Sequence, residues 1–534
     1  MNREYSREII CNLLEWGVEE FYVCAGARDI PLIETVCNIK SNHKIVFNHF
    51  EERSAAFYAL GRIKSLKKPV AIITTSGTAV GELLPAVMEA YYSNLPLILI
   101  TADRPKSYRS TGSPQSAEQK DIFGVYVSAC FDLSPGQRFD LSNIPKNKPL
   151  HFNICFDIPL QSGDIKEIPF IQNDKNINLQ EINSRLFDHN KNKLESFISK
   201  SKNLLVIISQ LNENNYTGII EFIKNLNAPV YLESISNIRE SKDLVHLRIN
   251  CADKIWAHSI KSDFKIDSIL KIGGTPTHRI WRDLDETYKN IKVLSISNSN
   301  FPGMPNTESI NTPVELFLSN IKIRKYSFDD SKINQFLSLD KKCYLKLNEL
   351  FEIYPEAEES IFYHLSKIIE INSRVYLGNS LPIRNWDLSA SYDYKNFKID
   401  ASRGLNGIDG QISSFLGFAD EFSSENWGIF GDLTTLYDMA GLWMLSQRPN
   451  LITNIVIINN KGGKIFNKVL KGEASTLCQN NHDFDFKYLA KFWRISYELH
   501  KNSKNIQTSK KSRIIEVQPD PFQTDLFSKH YSEI

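Results

Sequence analysis

Trp427-Gly428-Ile429-Phe430-Gly431-Asp432-Leu433 and, after a helix-like interval, Asn454-Ile455-Val456-Ile457-Ile458-Asn459-Asn460-Lys461-Gly462-Gly463 form the stretch that decides the fold. Each half opens on an apolar run, the mark of a strand covered on both faces, and breaks at glycine or asparagine. Two such strands joined by a helix are neighbours in a parallel sheet, so their ends stand side by side. Oxygen ligands meet there: the Asp432 carboxylate, the Asn460 amide oxygen and the Gly462 carbonyl can fill three positions of a hard octahedral cation, with phosphate oxygens and water in the others. Mg²⁺ on a diphosphate suits that set, with Mn²⁺ as the alternative. Gly-Asp and Asn-Asn turns also close buried strands with no ligand at all, and these residues by themselves leave both readings open.

The same rhythm extends outward. Phe21-Tyr22-Val23-Cys24, Lys44-Ile45-Val46-Phe47, Val70-Ala71-Ile72-Ile73-Thr74 and Leu97-Ile98-Leu99-Ile100-Thr101 alternate with helical spacing, which predicts a doubly wound domain over residues 1–170. A polar stretch at 172–192 reads as a linker. Leu204-Leu205-Val206-Ile207-Ile208, Pro229-Val230-Tyr231-Leu232, Ile269-Leu270-Lys271-Ile272 and Ile291-Lys292-Val293-Leu294 then predict a smaller α/β domain over 190–325. A charged stretch, 324–342, separates a third block over 343–534, which contains the opening segment, Arg374-Val375-Tyr376-Leu377 and Arg513-Ile514-Ile515-Glu516-Val517. The fold class expected is α/β, with three doubly wound parallel-sheet domains.

Composition narrows the function classes. With 63 Lys and Arg against 62 Asp and Glu in 534 residues, the chain has no global field to gather a phosphate backbone or an anionic membrane, so neither nucleic acid nor membrane is an expected partner. Eight cysteines without a C-x-x-C pair argue against a zinc knuckle or a disulfide framework. The N-terminal residues lack a signal-peptide pattern and the apolar run 95–101 is too short to span a bilayer, so a cytoplasmic location is expected.

Two segments of the first block carry further chemistry. His49-Phe50-Glu51-Glu52-Arg53 stands where a strand gives way to a helix, with Glu52 the candidate acid; a glutamate in a first helical turn also serves the helix dipole. Thr74-Thr75-Ser76-Gly77-Thr78-Ala79 joins a buried strand to a helix through small residues that let a ring approach the backbone.

The Gly-Asp to Asn-Asn spacing resembles the cofactor signature of thiamine diphosphate enzymes, and the three blocks resemble their pyrimidine, central and diphosphate domains. A finer resemblance is to the family of 2-succinyl-5-enolpyruvyl-6-hydroxy-3-cyclohexene-1-carboxylate (SEPHCHC) synthases, the carboligases of menaquinone biosynthesis. It rests on His49-Phe50-Glu51-Glu52-Arg53, Thr75-Ser76-Gly77-Thr78-Ala79, Thr101-Ala102-Asp103-Arg104-Pro105, Gly378-Asn379-Ser380-Leu381 with Arg384, Ser402-Arg403-Gly404 with Asn406-Gly407-Ile408-Asp409-Gly410, and Asn459-Asn460-Lys461-Gly462-Gly463 with Ile465-Phe466. The resemblance implies decarboxylation of 2-oxoglutarate on thiamine diphosphate and transfer of the remaining unit to isochorismate. It implies catalytic roles for Glu52, which would exchange a proton with the cofactor's pyrimidine, and for Gln115. It further implies that Ser76, Gly77, Thr78, Asn406, Gly407, Ile408, Gly431, Asp432, Leu433, Asn460, Gly462 and Ile465 join Glu52 in holding the cofactor, with Mg²⁺ on Asp432, Asn460 and Gly462.

Both substrates are polyanions, and guanidinium groups match carboxylates in bidentate fashion while staying charged. By resemblance Ser380, Arg384 and Arg403 hold the oxo acid, Arg28, Arg104, Gln115, His278 and Arg279 face the acceptor, and Ile465 and Phe466 form an apolar wall against water. In the superfamily the glutamate and the metal ligands come from different subunits, so a homodimer or a dimer of dimers is implied. Departures from the family pattern are Ala25-Gly26-Ala27-Arg28-Asp29 near the first strand, Pro114 before Gln115, His278 before Arg279, and Glu82 in place of an asparagine. Most lie on the acceptor side. They leave room for a related carboligase or decarboxylase with another acceptor or 2-oxo acid, and, in a different class, for a binding protein that keeps the fold without turnover.

Overall fold

The computed structural model describes residues 1–170, 184–211, 215–305, 307–321, 326, 328–468 and 470–534. Three six-stranded, wholly parallel sheets carry the fold. The first holds β1 (Glu20–Cys24), β2 (Val46–Asn48), β3 (Val70–Thr74), β4 (Leu97–Asp103), β5 (Cys130–Leu133) and β6 (Leu150–Cys155) in the order β2-β1-β3-β4-β6-β5. The central sheet holds β7 (Leu204–Ile208), β8 (Val230–Leu232), β9 (Arg248–Ile249), β10 (Ser268–Ile272), β11 (Lys292–Ser297) and β12 (Glu308–Asn311), ordered β9-β8-β7-β10-β11-β12. The third holds β13 (Arg374–Leu377), β14 (Lys398–Asp400), β15 (Asn426–Gly431), β16 (Asn454–Ile458), β17 (Ser496–His500) and β18 (Arg513–Val517), ordered β14-β13-β15-β16-β18-β17. The outer two sheets therefore share one topology, and the central one differs.

Continuous apolar strands follow from cover on both faces. Val70 and Ile72 enter one core while Ala71 and Ile73 enter the other; Ile455 and Ile457, against Val456 and Ile458, do the same in β16. One core is common to the outer sheets. It joins Tyr58 and Leu60 of the Glu52–Leu66 helix to Phe415 and Leu416 of the Gln411–Phe418 helix. Glycine sets the closeness of that crossing: a Cβ on Gly61 would lie 2.1 Å from the Ser414 carbonyl oxygen, and one on Gly417 would lie 2.1 Å from that of Tyr58.

The central sheet is fastened to the third by polar contacts. Asp387 accepts from the Ser234 amide at 2.8 Å, the Ser234 hydroxyl at 2.9 Å and the Tyr231 hydroxyl, and Arg239 donates to the Ser391 and Ala390 carbonyls at 3.0 and 2.8 Å.

The linker expectation needs correction where the structure describes it. Residues 171–183 lie outside the described part, but from Ser184 onward the polar stretch is the helix Ser184–Lys200, which buries Asn190, Leu194 and Ile198 at four-residue intervals. The charged stretch is likewise helical from Asp330, in the 24-residue helix Asp330–Ile353; residues 324, 325 and 327 lie outside the described part. Among the described residues no helix is long and apolar enough to cross a membrane, and all eight cysteines are free thiols.

Candidate functional site

β15 and β16 pair in register from Trp427 with Asn454 to Gly431 with Ile458, which puts Asp432 beside the turn that follows Ile458. Asp432 opens the helix Asp432–Tyr437, is 3% exposed, and accepts from its neighbours: Oδ1 from the Leu433 amide at 2.6 Å and Oδ2 from the Gly462 amide at 2.8 Å. Burial pushes its carboxyl above the usual range, opposed by those two amides and by His482, whose Nε2 lies 3.3 Å from Oδ2. Gly462 has φ +135°, and a Cβ there would meet the Gln479 carbonyl at 2.6 Å, so the turn demands glycine. Asn460 donates through Nδ2 to Glu358 Oε2 at 2.9 Å, while its Oδ1 is buried without a hydrogen-bond partner. The Gly462 carbonyl accepts the Lys464 amide at 2.9 Å, which leaves one lone pair. An orphaned amide oxygen, a desolvated carboxylate and a carbonyl with spare capacity are the donor set a hard cation requires. Among the described residues no cluster of three or more His, Cys, Asp or Glu side chains offers an alternative metal centre. Ile465 is half-buried and Phe466 is 39% exposed at the start of the following short 3-10 turn.

A cationic group stands at the neighbouring strand ends. Ser380, after β13, has φ +73° and caps the helix Leu381–Ser389, where Arg384 donates to the Ser380 carbonyl. Asn379 ties this turn to the loop after β14: Nδ2 donates to the Ser402 and Gly407 carbonyls at 2.9 and 2.7 Å, and Oδ1 accepts from Arg403 at 2.8 Å. Glu89, from the first sheet's side, accepts the Gly404 and Leu405 amides at 2.8 and 2.7 Å, which holds the loop carrying Asn406, Gly407 and Ile408. Burial lowers the pKa of Arg403 to about 10, partial desolvation lowers that of Arg384, whose side chain stays exposed, and Glu233 of the central sheet opposes the shift in each. His278, half-buried as the N-cap of the helix Arg279–Glu286, is drawn into the same group, its pKa lowered by burial and by the charges of Arg384 and Arg279. Arg279 is exposed and paired with Asp283 at 3.1 Å.

The first sheet carries a separate cluster. Glu51, not Glu52, caps the Glu52–Leu66 helix by accepting from the Arg53 and Ser54 amides at 3.1 and 2.9 Å. Glu52 is thus released from helix-end duty; burial raises its pKa, and the carboxylates of Glu51 and Glu82 push the same way. Ser76 is buried with its hydroxyl unpartnered, and Gly77, at φ +89°, sits where a Cβ would lie 3.3 Å from the Gln115 Cα; Thr78 is exposed at the start of the next helix. Gln115 is exposed at φ +55°. Arg104 holds its loop by donating to the Pro114 carbonyl at 3.0 Å. Arg28 donates to the Phe156 carbonyl at 3.3 Å, and its pKa is lowered by burial and then by the Arg104 charge.

Within one chain the structure gathers Asp432, Asn460 and Gly462; Ser380, Arg384, Arg403 and His278; and Glu52, Ser76, Gly77, Gln115, Arg28 and Arg104, as three groups. Among the described residues no hydrogen bond or ion pair joins Glu52, Arg28 or Arg104 to Asp432 or Asn460. Three residues that sequence reasoning did not single out belong to these groups. Gln119, fully buried, accepts the Gly77 amide at 2.9 Å and donates to Asn153 at 2.8 Å. His482 faces Asp432, and Glu233 faces the arginines. A single polar residue in a loop has no periodicity to betray it; only the consecutive run Asn480-Asn481-His482 offers a local signal.

Residues 4–122 match the family model described as thiamine pyrophosphate enzyme, N-terminal TPP binding domain. A 2-succinyl-5-enolpyruvyl-6-hydroxy-3-cyclohexene-1-carboxylate synthase of Bdellovibrio bacteriovorus is 40% identical, with 99% of this chain and 98% of the relative covered. Its counterpart in Akkermansia muciniphila is 32% identical over 95% of each chain. The crystal structure of benzoylformate decarboxylase from Polynucleobacter necessarius superposes with a TM-score of 0.68 at 14% identity, over 97% of this chain and 98% of that one, a likeness of fold.

Proposed function

Because the chain belongs to the SEPHCHC synthase family and is a thiamine diphosphate-dependent transferase of menaquinone biosynthesis, we propose that it decarboxylates 2-oxoglutarate and joins the remaining four-carbon unit to isochorismate. The observation that carries the reading is Asn460: its amide nitrogen is committed to Glu358, and its buried oxygen is left bare beside Asp432 and the Gly462 turn. Asp432, Asn460 and the Gly462 carbonyl hold Mg²⁺, or Mn²⁺ in its place, and through it the diphosphate. Gly431, Leu433, Asn406, Gly407, Ile408, Ser76, Gly77 and Thr78 complete the cofactor cradle. Bound there, thiamine diphosphate supplies a carbon nucleophile and an electron sink, so that CO₂ leaves and a new carbon–carbon bond can form.

The chain's own groups do the rest. Glu52 carries a proton to and from the pyrimidine nitrogen, and its raised pKa keeps a proton available nearer neutrality. Ser380, Arg384 and Arg403 grip the carboxylates of the oxo acid; Arg28, Arg104, Gln115, His278 and Arg279 orient the acceptor. Ile465 and Phe466 exclude water, which would otherwise quench the reaction by protonation. Glu52 and Asp432 of a single working site come from different protomers of a homodimer or a dimer of dimers. The three sheets correspond to pyrimidine, central and diphosphate domains over 1–170, 190–325 and 343–534, and the enzyme acts in the cytoplasm.

A carboligase with a different acceptor is the second reading, favoured by Arg279, which is exposed and bound to Asp283. Mixing the purified chain with thiamine diphosphate, Mg²⁺, 2-oxoglutarate and isochorismate separates the two. The expected result is CO₂ release matched by one adduct of the two substrates in the mass spectrum. Decarboxylation without adduct selects the second reading, and no decarboxylation overturns both.

A further inference from the structure

Glu233 follows β8 and is 1% exposed. Its Oε1 accepts from the Thr277 and His278 amides at 2.6 and 3.1 Å, and its Oε2 from the Ser209 hydroxyl. Ser209 follows β7 and Thr277 lies in the loop after β10, so the segments following three adjacent strands of the central sheet converge on one carboxylate. A buried carboxylate is costly unless cations face it. Arg384 and Arg403 of the third block do so, and for each of them Glu233 is the carboxylate with the largest influence. Lys271, buried in β10, is a third cation on which it acts.

Neither arginine spends its donors on that carboxylate. Arg403 donates to the neutral Asn379 oxygen at 2.8 Å and Arg384 to the Ser380 carbonyl, and Arg403 Nε is buried without a hydrogen-bond partner. Arg403 also lines a cavity together with Gln210, Gly274 and Thr275, neighbours of Ser209 and Thr277. Arg403 therefore keeps an N–H group for a ligand.

We propose that Glu233 is a positioning residue between the oxo-acid and acceptor pockets: it latches the turn carrying His278 and Arg279 through two backbone amides, and its charge tempers the pull of Arg384 and Arg403 on the substrate carboxylates without taking their donors. This gives the central sheet a part in the reaction, and it rests on the dicarboxylate pocket proposed above. A negative charge beside an anion site weakens the anion's binding; burial raises the pKa of the Glu233 carboxyl, and the Ser209 hydroxyl, the Arg403 charge and the Thr277 and His278 amides oppose that shift. The two roles separate by substitution. Glu233→Gln keeps the amide-accepting oxygen and the side-chain volume but loses the charge; Glu233→Asp keeps the charge but is too short to serve both the Ser209 hydroxyl and the two amides.

The test is calorimetric titration of glutarate, an unreactive dicarboxylate, into full-length protein loaded with thiamine diphosphate and Mg²⁺, alongside steady-state kinetics. E233Q should bind glutarate about 3- to 10-fold more tightly than wild type and lower KM for 2-oxoglutarate similarly, with KM for the neutral-tailed 2-oxohexanoate unchanged. E233D should leave glutarate affinity within about twofold while raising KM for isochorismate about tenfold or more. A merely structural role cannot tighten anion binding. Unchanged or weaker glutarate binding by E233Q overturns the proposal; if E233Q does not fold, tighter glutarate binding or an unchanged isochorismate KM in E233D overturns it. Wild-type protein that binds no glutarate shows instead that the dicarboxylate pocket itself was misassigned.

Discussion

Asp387 shows what one residue contributes when it is buried as an acid. It sits where the central and third sheets meet, accepting from Ser234 and the Tyr231 hydroxyl, and burial lifts its pKa to about 7 from the usual 3.8. Between those values the folded chain keeps a proton that the unfolded chain has released, so folding stability falls as pH rises through that window and is flat above it. Asp387→Asn imitates the protonated form at every pH and still offers an acceptor to Ser234. We expect it to raise the urea midpoint at about pH 8, worth ~1–3 kcal/mol, and to change little near pH 4. A variant weaker than wild type at both pH values would mean that the ionised carboxylate is the stabilising form. The same scale explains which site residues could be read in advance. Asp432 and Asn460 end apolar runs, and a strand end next to a glycine turn is visible locally. Gln119, Glu233 and His482 gain their meaning from partners such as Gly77, Thr277, Asp432 and Arg403, 42 to 170 positions away in the chain, and no local pattern encodes that.

Between elements, the tightest demand is the crossing of the Glu52–Leu66 and Gln411–Phe418 helices. Gly61 and Gly417 let the backbones touch, and the added methyl group of alanine has only carbonyl and amide backbone to displace. Gly61→Ala or Gly417→Ala should cost ~1–3 kcal/mol by forcing the helices apart, measured as a drop in melting temperature. Gly81→Ala is the control: nothing lies within 4 Å of its would-be Cβ and its φ is ordinary, so it should be neutral or slightly stabilising. Equal losses at Gly61 and Gly81 would show that the close crossing does not set the effect. The glycines of this crossing were not legible as such, because a helical Gly with a distant partner looks like any other. The strands were legible, since a parallel sheet covered on both faces writes itself as unbroken apolar runs. The helices Ser184–Lys200 and Asp330–Ile353 were hidden under Asn, Asp and Lys. In the second the buried set Ile333, Phe336, Asp340, Cys343, Leu347 and Leu350 keeps helical three- and four-residue spacing even though one member is an acid.

For the whole molecule the question is whether one chain makes a site. The Glu52 cluster and the Asp432 cluster belong to different sheets, and each has exposed apolar side chains close to it: Phe50 is 59% exposed, Tyr437 50% and Phe484 61%. Phe50 is two residues from Glu52, Tyr437 ends the helix that Asp432 begins, and Phe484 stacks on His482. Apolar side chains concentrated around two half-sites are what a partner protomer would cover, bringing one chain's Glu52 to the other's Asp432. Complementation decides it. Glu52→Gln and Asp432→Ala should each lower turnover at least about a hundredfold under saturating cofactor, the first through proton transfer and the second through the metal. After subunit exchange in an equal mixture, half of the dimers are mixed, and each mixed dimer has one site with both residues intact and one with neither. Activity should therefore return to about a quarter of the wild-type value, because half of the sites in half of the dimers are whole. If Glu52 and Asp432 of one working site belonged to the same chain, every site in the mixture would carry a defect and no activity would return.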